Sequence, residues 1–169
     1  GGGIYQNSGN INIENCTITG NVNTGGEDYD ASGLMVTSWE STVLNSVFWN
    51  NIPRSIGVSN IGAISIAYSD LEGGEEEIGG NVNPDNIGDV NWLDGNIDED
   101  PIFVNVENGD YNLQIGSPCI DAGDPDFDGD SIMWQNDPDD QDMFGSRLDM
   151  GAYPAIGTSE IEPPNISSV

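Results

Sequence analysis

The sequence contains no histidine and no lysine, and its only cationic side chains are Arg54 and Arg147. Without histidine no Ser/His/Asp or Cys/His nucleophilic arrangement can be built, and without lysine there is no phosphate-cradling glycine loop of the GxxxxGK type. Against the two arginines stand 30 acidic residues, a formal net charge of −28, which disfavours nucleic acid and anionic membrane surfaces as partners. Cysteine is scarce as well: Cys16 and Cys119 make neither a disulfide framework nor a metal site by number or spacing. Long apolar runs are missing. The longest, residues 61–68, is interrupted by Gly62 and Ser65 and is too short to cross a bilayer, so no membrane insertion is expected. No stretch shows helical amphipathicity. Residues Gly1 to Tyr5 have neither the charged nor the apolar region of an export signal, which is expected to have been removed or to lie outside this sequence.

What is present is glycine, asparagine and short apolar runs broken every few residues, the pattern of a turn-rich all-β chain. At 169 residues and 36% hydrophobic content, the chain suits a thin, elongated core better than a compact globule. Three segments, Ile13 to Asn21, Val43 to Asn51 and Ile66 to Gly74, align at spacings of 30 and 23 residues. A shorter strand precedes each, around Ile4, Leu34 and Ile56. Each unit therefore reads as one coil of a solenoid, with coils about 4.8 Å apart along the axis.

Side chains in a strand change faces with period two, so Ile18, Phe48 and Leu71 are expected to stack inward. Two residues earlier, Cys16, Ser46 and Ser69 form a small inward position at a corner. Before them, Asn15 and Asn45 stand where the chain must turn sharply. Asparagine tolerates left-handed backbone angles there and is able to form amide ladders between coils. The extra residues of the first interval, among them Gly25 to Asp30, are expected to project as a loop, and the stretch after Glu72 reads as an exposed acidic excursion.

Further along come Asp100-Pro101-Ile102-Phe103, Gly109-Asp110-Tyr111-Asn112-Leu113-Gln114, Gly116-Ser117-Pro118-Cys119-Ile120-Asp121-Ala122-Gly123 and Asp149-Met150-Gly151-Ala152-Tyr153. In that order these motifs resemble the closing segment of bacterial right-handed β-helix proteins, including those grouped with choice-of-anchor surface proteins. The resemblance covers residues 100–153 and implies a secreted or cell-surface protein whose β-helix ends here. Members often continue into a short linker and a sorting or anchoring domain. Ile161 to Asn165 has the composition of a stiff spacer, but nothing resembling a sorting domain follows it, a departure from the full pattern.

The expected fold is thus all-β, a right-handed parallel β-helix of about three coils with a C-terminal capping segment. Residues 1–74 form the coils, 75–99 an acidic Gly/Asp/Glu-rich loop region, 100–155 the cap and 156–169 a Pro-containing tail. The cap's apolar strands are expected to cover the open edge of the last coil, which would otherwise invite aggregation. Cys119 stands where the family places a small residue and reads as a buried free thiol, several strand spacings from Cys16 and beyond disulfide reach.

The strongest local motif is Asp124-Pro125-Asp126-Phe127-Asp128-Gly129-Asp130, acids at alternate positions and a turn-permitting glycine, which resembles the first half of an EF-hand-type calcium loop. The twelfth position is Gln135 where a bidentate glutamate is expected, so a full EF-hand is not supported. Asp137, Asp139, Asp140 and Asp142 follow closely and are placed to complete a Ca²⁺ shell with Asp124, Asp126, Asp128 and Asp130. A solvated acidic loop without a ligand is the other reading.

The function expected is an extracellular structural or adhesive module, calcium-stabilised and not an enzyme by itself, with its own copies, other surface proteins or glycans as partners. Head-to-tail stacking into fibres is one such self-association. The alternative is the C-terminal part of a secreted polysaccharide hydrolase or lyase whose active site lies on other coils. A lyase lacks its usual base here, and an acid-pair hydrolase is not excluded by inventory. Trp49 and Trp39 offer either a sugar-stacking platform or residues buried beneath a loop.

Overall fold

The computed structural model describes residues 2–24, 31–79 and 87–155; the Gly25 to Asp30 insertion and the 156–169 tail lie outside these. The strands are β1 (Ile4–Gln6), β2 (Ile11–Glu14), β3 (Thr17–Thr19), β4 (Leu34–Val36), β5 (Trp39–Leu44), β6 (Val47–Trp49), β7 (Ile56–Val58), β8 (Gly62–Ala67), β9 (Asp70–Leu71), β10 (Asp89–Trp92), β11 (Phe103–Asn105) and β12 (Asp110–Leu113). Short 3-10 turns join some of them, and there is no α-helix among the described residues. Each of the first ten strands pairs with a strand from the neighbouring circuit of the chain. One parallel sheet is β1-β4-β7, a second β2-β5-β8-β10 and a third β3-β6-β9. Each of the first three circuits lays one strand on each sheet in turn, an all-β, mostly parallel arrangement compatible with a β-solenoid; no sheet closes on itself. Among the described strands, β11 and β12 alone pair antiparallel.

The register stacks like residues on like. Ile4, Leu34 and Ile56 align in the first sheet, Ile13, Val43, Ile66 and Trp92 in the second, and Ile18, Phe48 and Leu71 in the third, the last as expected from the repeat. Leu34, Phe48 and Ile66 are completely buried in one continuous core. Alternation decides which residues face it: β8 reads buried and half-buried in strict succession, with Ile64 and Ile66 inside and Ser65 and Ala67 outside.

The corner between the second and third sheets recurs in each circuit. Asn15 and Asn45 take left-handed φ values of 49°, as their residue type predicts, and Tyr68 (44°) and Gly95 (79°) fill the same place in later circuits. The next residue forms a ladder. The backbone N–H of Cys16 donates to Ser46 Oγ (3.1 Å), that of Ser46 to Ser69 Oγ (3.1 Å), and that of Ser69 to Asn96 Oδ1 (3.0 Å). Each serine hydroxyl in turn donates to a carbonyl of its own corner, Ser46 to Leu44 and Ser69 to Ala67.

Two expectations are corrected here. Asn15 and Asn45 form no amide ladder, because Asn45 Oδ1 instead accepts from Asp124 N outside the sheets (2.6 Å); the amide pair is Asn21 with Asn51, Nδ2 to Oδ1 at 3.0 Å. The stretch 75–99 is also not wholly an excursion. Gly79 bridges Gly57, β10 pairs with β8, and Ile97 bridges Asp70, so a fourth circuit reaches all three sheets. Its inward residues, Ile78, Val90 and Trp92, pack on the core but are separated by acids and glycines that hide their period.

The C-terminal segment does not sit over the edge of the last circuit. It lies as a strap against the outer face of the third sheet, where Leu113, Cys119, Met150 and Ala155 pack on Val47, Trp49, Tyr68 and Ile97. It spans several circuits: Ala152 N donates to Thr17 Oγ1 (3.0 Å), Gly151 N to Asn45 O (2.7 Å), and Cys119 Sγ to Asp70 Oδ2 (3.2 Å). Gly151 makes the approach possible, since with φ at +94° a Cβ there would fall 2.8 Å from Thr17 Oγ1 and 3.1 Å from Val47. Trp49 is half-buried in this interface, whereas Trp39 is 63% exposed. Both cysteines are free thiols.

Asp70 is fully buried beneath the strap, and burial raises its pKa from the ordinary 3.8 to about 7, against the lowering effect of the bonds from Cys119 and Glu99 N. Burial, followed by the charge of Asp70, pushes the Cys119 thiol up as well. The folded chain thus holds the Asp70 proton more tightly than the unfolded chain. Its contribution to stability is complete below pH 3.8 and is lost as pH rises through about 7. Asp70→Asn is expected to stabilise the protein at about pH 8 by on the order of 3 kcal/mol and to have little effect near pH 4, measured by thermal unfolding. Parallel pH profiles for the two proteins would contradict this.

Candidate metal centre

Between its two stems the strap makes one long acidic excursion, residues 124–147, built from short-range bonds between carboxylates and backbone amides. Asp124 Oδ1 accepts from Asp126 N (3.0 Å), Asp128 Oδ1 from Asp130 N (3.1 Å) and Asp130 Oδ1 from Ile132 N (2.7 Å). Asp126 Oδ1 accepts from Ser131 N (3.1 Å). Gly129, with φ at +76°, supplies the turn that the motif called for. Trp134 N then donates to Pro125 O (2.9 Å), which folds the second half of the loop back onto the first. There two 3-10 turns follow, Trp134–Asn136 and Pro138–Asp140, with Asp137 capping the second by accepting from Asp139 N.

This folding brings Asp140 into the first half of the loop. Asp140 is fully buried, and its Oδ1 accepts from both Phe127 N (2.7 Å) and Asp128 N (3.3 Å). Its Oδ2 is buried without any hydrogen-bond partner. A buried carboxylate oxygen with nothing to accept from is costly, and a cation is the partner that offsets that cost best. Asp126, Asp128 and Asp140 each offer one oxygen within 4.8 Å of the others, and Asp128, Asp130 and Asp137 form a second such group sharing Asp128.

Five of the eight expected ligands therefore converge. Asp124, Asp139 and Asp142 belong to neither group: Asp124 braces the loop's first turn, Asp139 is exposed, and Asp142 accepts from Phe144 N and Ser146 N in a turn of its own. The converging donors are all carboxylate oxygens, a hard set suited to a cation of the Ca²⁺ or Mg²⁺ type, and no thiol belongs to either group.

The surroundings add little positive charge. Arg147 lies 5.4 Å from the centre of the Tyr68 ring and donates to Ala122 O, and its charge favours the ionised form of Asp124. Burial and the charge of Asp126 nevertheless raise the Asp124 pKa. At Asp130 the bond from Ile132 N lowers the pKa, but partial desolvation and the charges of Asp128, Asp137 and Asp126 outweigh it and the net shift is upward. The residue that sequence reasoning did not single out is Asn45 in its new role, the point on the sheets where Asp124 N is held. Its left-handed corner was visible in the repeat, but its partner 79 positions away was not.

Asp140→Asn is expected to weaken cation binding at least about tenfold, the scale on which even outer partners of a metal act, while Asp139→Asn changes it by about twofold or less. Terbium luminescence and calcium titration read both, and equal effects of the two substitutions would contradict the assignment. Because Asp130, a member of the second group, holds its proton to higher pH than a free carboxylate, cation affinity of that group should begin to fall at a higher pH than for unshifted carboxylates, as a calcium titration across pH would show.

No family model, no curated protein and no solved structure matches this chain, so the reading of its chemistry rests on its own residues.

Proposed function

We propose that the chain is a section of a right-handed parallel β-helix that works outside the cell as a structural or adhesive module, with Ca²⁺ bound among Asp126, Asp128 and Asp140. The observation that carries the metal reading is the fully buried Asp140 Oδ2, left without a hydrogen-bond partner beside two further carboxylates. The module reading is supported by what the chain is built from: stacked parallel strands, a C-terminal strap that stiffens them laterally, and a strongly acidic composition that calcium would bring into balance. A right-handed path agrees with the near-universal hand of parallel crossover connections.

The partners proposed are further copies of the chain, other surface proteins or glycans. Self-stacking is proposed because a solenoid of parallel strands is extended by adding circuits edge to edge. Its regular strand edges are templates for another circuit of the same kind.

Millimolar Ca²⁺ is expected to raise the melting temperature relative to excess chelator, by about 2.7 kcal/mol of stabilisation where calcium is a hundredfold above its dissociation constant. Sedimentation velocity under the same two conditions tests the assembly: calcium-dependent growth into elongated species supports stacking. An unchanged melting temperature and a calcium-indifferent monomer would remove both parts of the proposal.

A further inference from the structure

We propose that the bound cation is the lock on the whole strap, so that removing it frees residues 117–155 from the third sheet while the circuits themselves stay folded. This rests on the calcium reading above and adds to it a coupling between the loop and the face that the strap covers.

The coupling is visible in how the loop is hung. Its two stems close on each other through Gly123 N to Leu148 O (2.7 Å) and Met150 N to Cys119 O (2.9 Å). Both stems then meet one residue of the circuits. Asp124 N donates to Asn45 Oδ1 (2.6 Å), and Gly151 N donates to Asn45 O (2.7 Å). Asn45 stands in the left-handed corner directly before Ser46, whose N–H is held by Ser69 Oγ, so its backbone is placed by the circuits. The first acid of the loop thus carries the amide that fastens one stem, and any rearrangement of the loop acts directly on that fastening.

Charge supplies the force. The converging carboxylates sit within 4.8 Å of one another in two groups joined at Asp128, and without a cation their repulsion favours an opened loop. Opening carries Asp124 away from Asn45 and pulls on Arg147, which otherwise rests against the Tyr68 ring. The release is opposed by one local contact. The strap's own apolar contact is a small cluster around Val47, Met150 and Cys119, separate from the main core, and it covers the buried Asp70 carboxyl, whose ionisation near neutral pH already weakens it. The corner ladder and stacked core do not involve the strap, so the circuits have their own cohesion.

Amide hydrogen exchange of the full chain, with Ca²⁺ alone as the ligand and then with excess chelator, tests this alongside a calcium titration. Chelation is expected to raise exchange about tenfold or more at Gly123, Met150 and Gly151 together with Phe127 and Asp128, leaving Ser46 and Ser69 unchanged. Because coupling is reciprocal, Asn45→Gly, which keeps the left-handed corner, is expected to weaken calcium binding at least about fivefold. Exchange confined to the loop, exchange that rises equally at Ser46, or unaltered affinity in Asn45→Gly would each overturn the lock and leave the calcium site standing. No calcium binding in the titration would overturn the site and the lock together.

Discussion

At the corner between the second and third sheets the chain must turn within one residue and still leave no backbone group unpaired. The solution is the same in successive circuits: a residue in the left-handed region, then a small side chain that accepts the N–H of the circuit before and donates to its own corner carbonyl. Residue size at that position fixes the register. A one-residue slip would bring a large side chain into the corner and move Phe48 and its stacked neighbours to the outer face. The core follows from this register, since Ile13, Val43 and Ile66 can only stack if the corners beside them are aligned.

The outer face of the third sheet raises a different problem. Val47, Trp49 and Tyr68 are too apolar to face water as a continuous patch, and the strap covers them. Covering them brings an acidic segment against an already acidic chain and buries the carboxyl of Asp70, while the loop's own reversal buries that of Asp140. The two are handled differently. Asp70 takes a thiol and a backbone amide as partners and shifts its pKa toward neutrality, whereas Asp140 keeps one oxygen satisfied by two amides and one with no partner among the described residues. A divalent cation would satisfy that oxygen and relieve the repulsion around it together.

Much of the coil architecture is legible in the sequence because it depends on local chemistry repeated at intervals. The inward trio Ile18, Phe48 and Leu71, the small corner residues and the left-handed asparagines are all consequences of period and residue type. The fourth circuit is not, because Gly95 and Asn96 fill the corner with different residues and the interval lengthens to 26 or 27 residues. The strap's position is also hidden: nothing local in Met150 or Gly151 says that they lie on Val47 and not over an end. At the candidate metal centre, the alternating acids announce themselves, but the partition among them depends on the reversal at Trp134. That reversal brings Asp140 inward and leaves Asp139, its immediate neighbour, in solvent.

The most direct test of the cation's place in this structure is a crystal structure of the chain grown with calcium. The expected density is an ion held by one oxygen each of Asp126, Asp128 and Asp140 at about 2.3–2.6 Å, with Asp140 Oδ2 among its ligands and the strap seated on the third sheet. A water molecule or nothing between those carboxylates, with the side chains turned apart and the strap still seated, would contradict it.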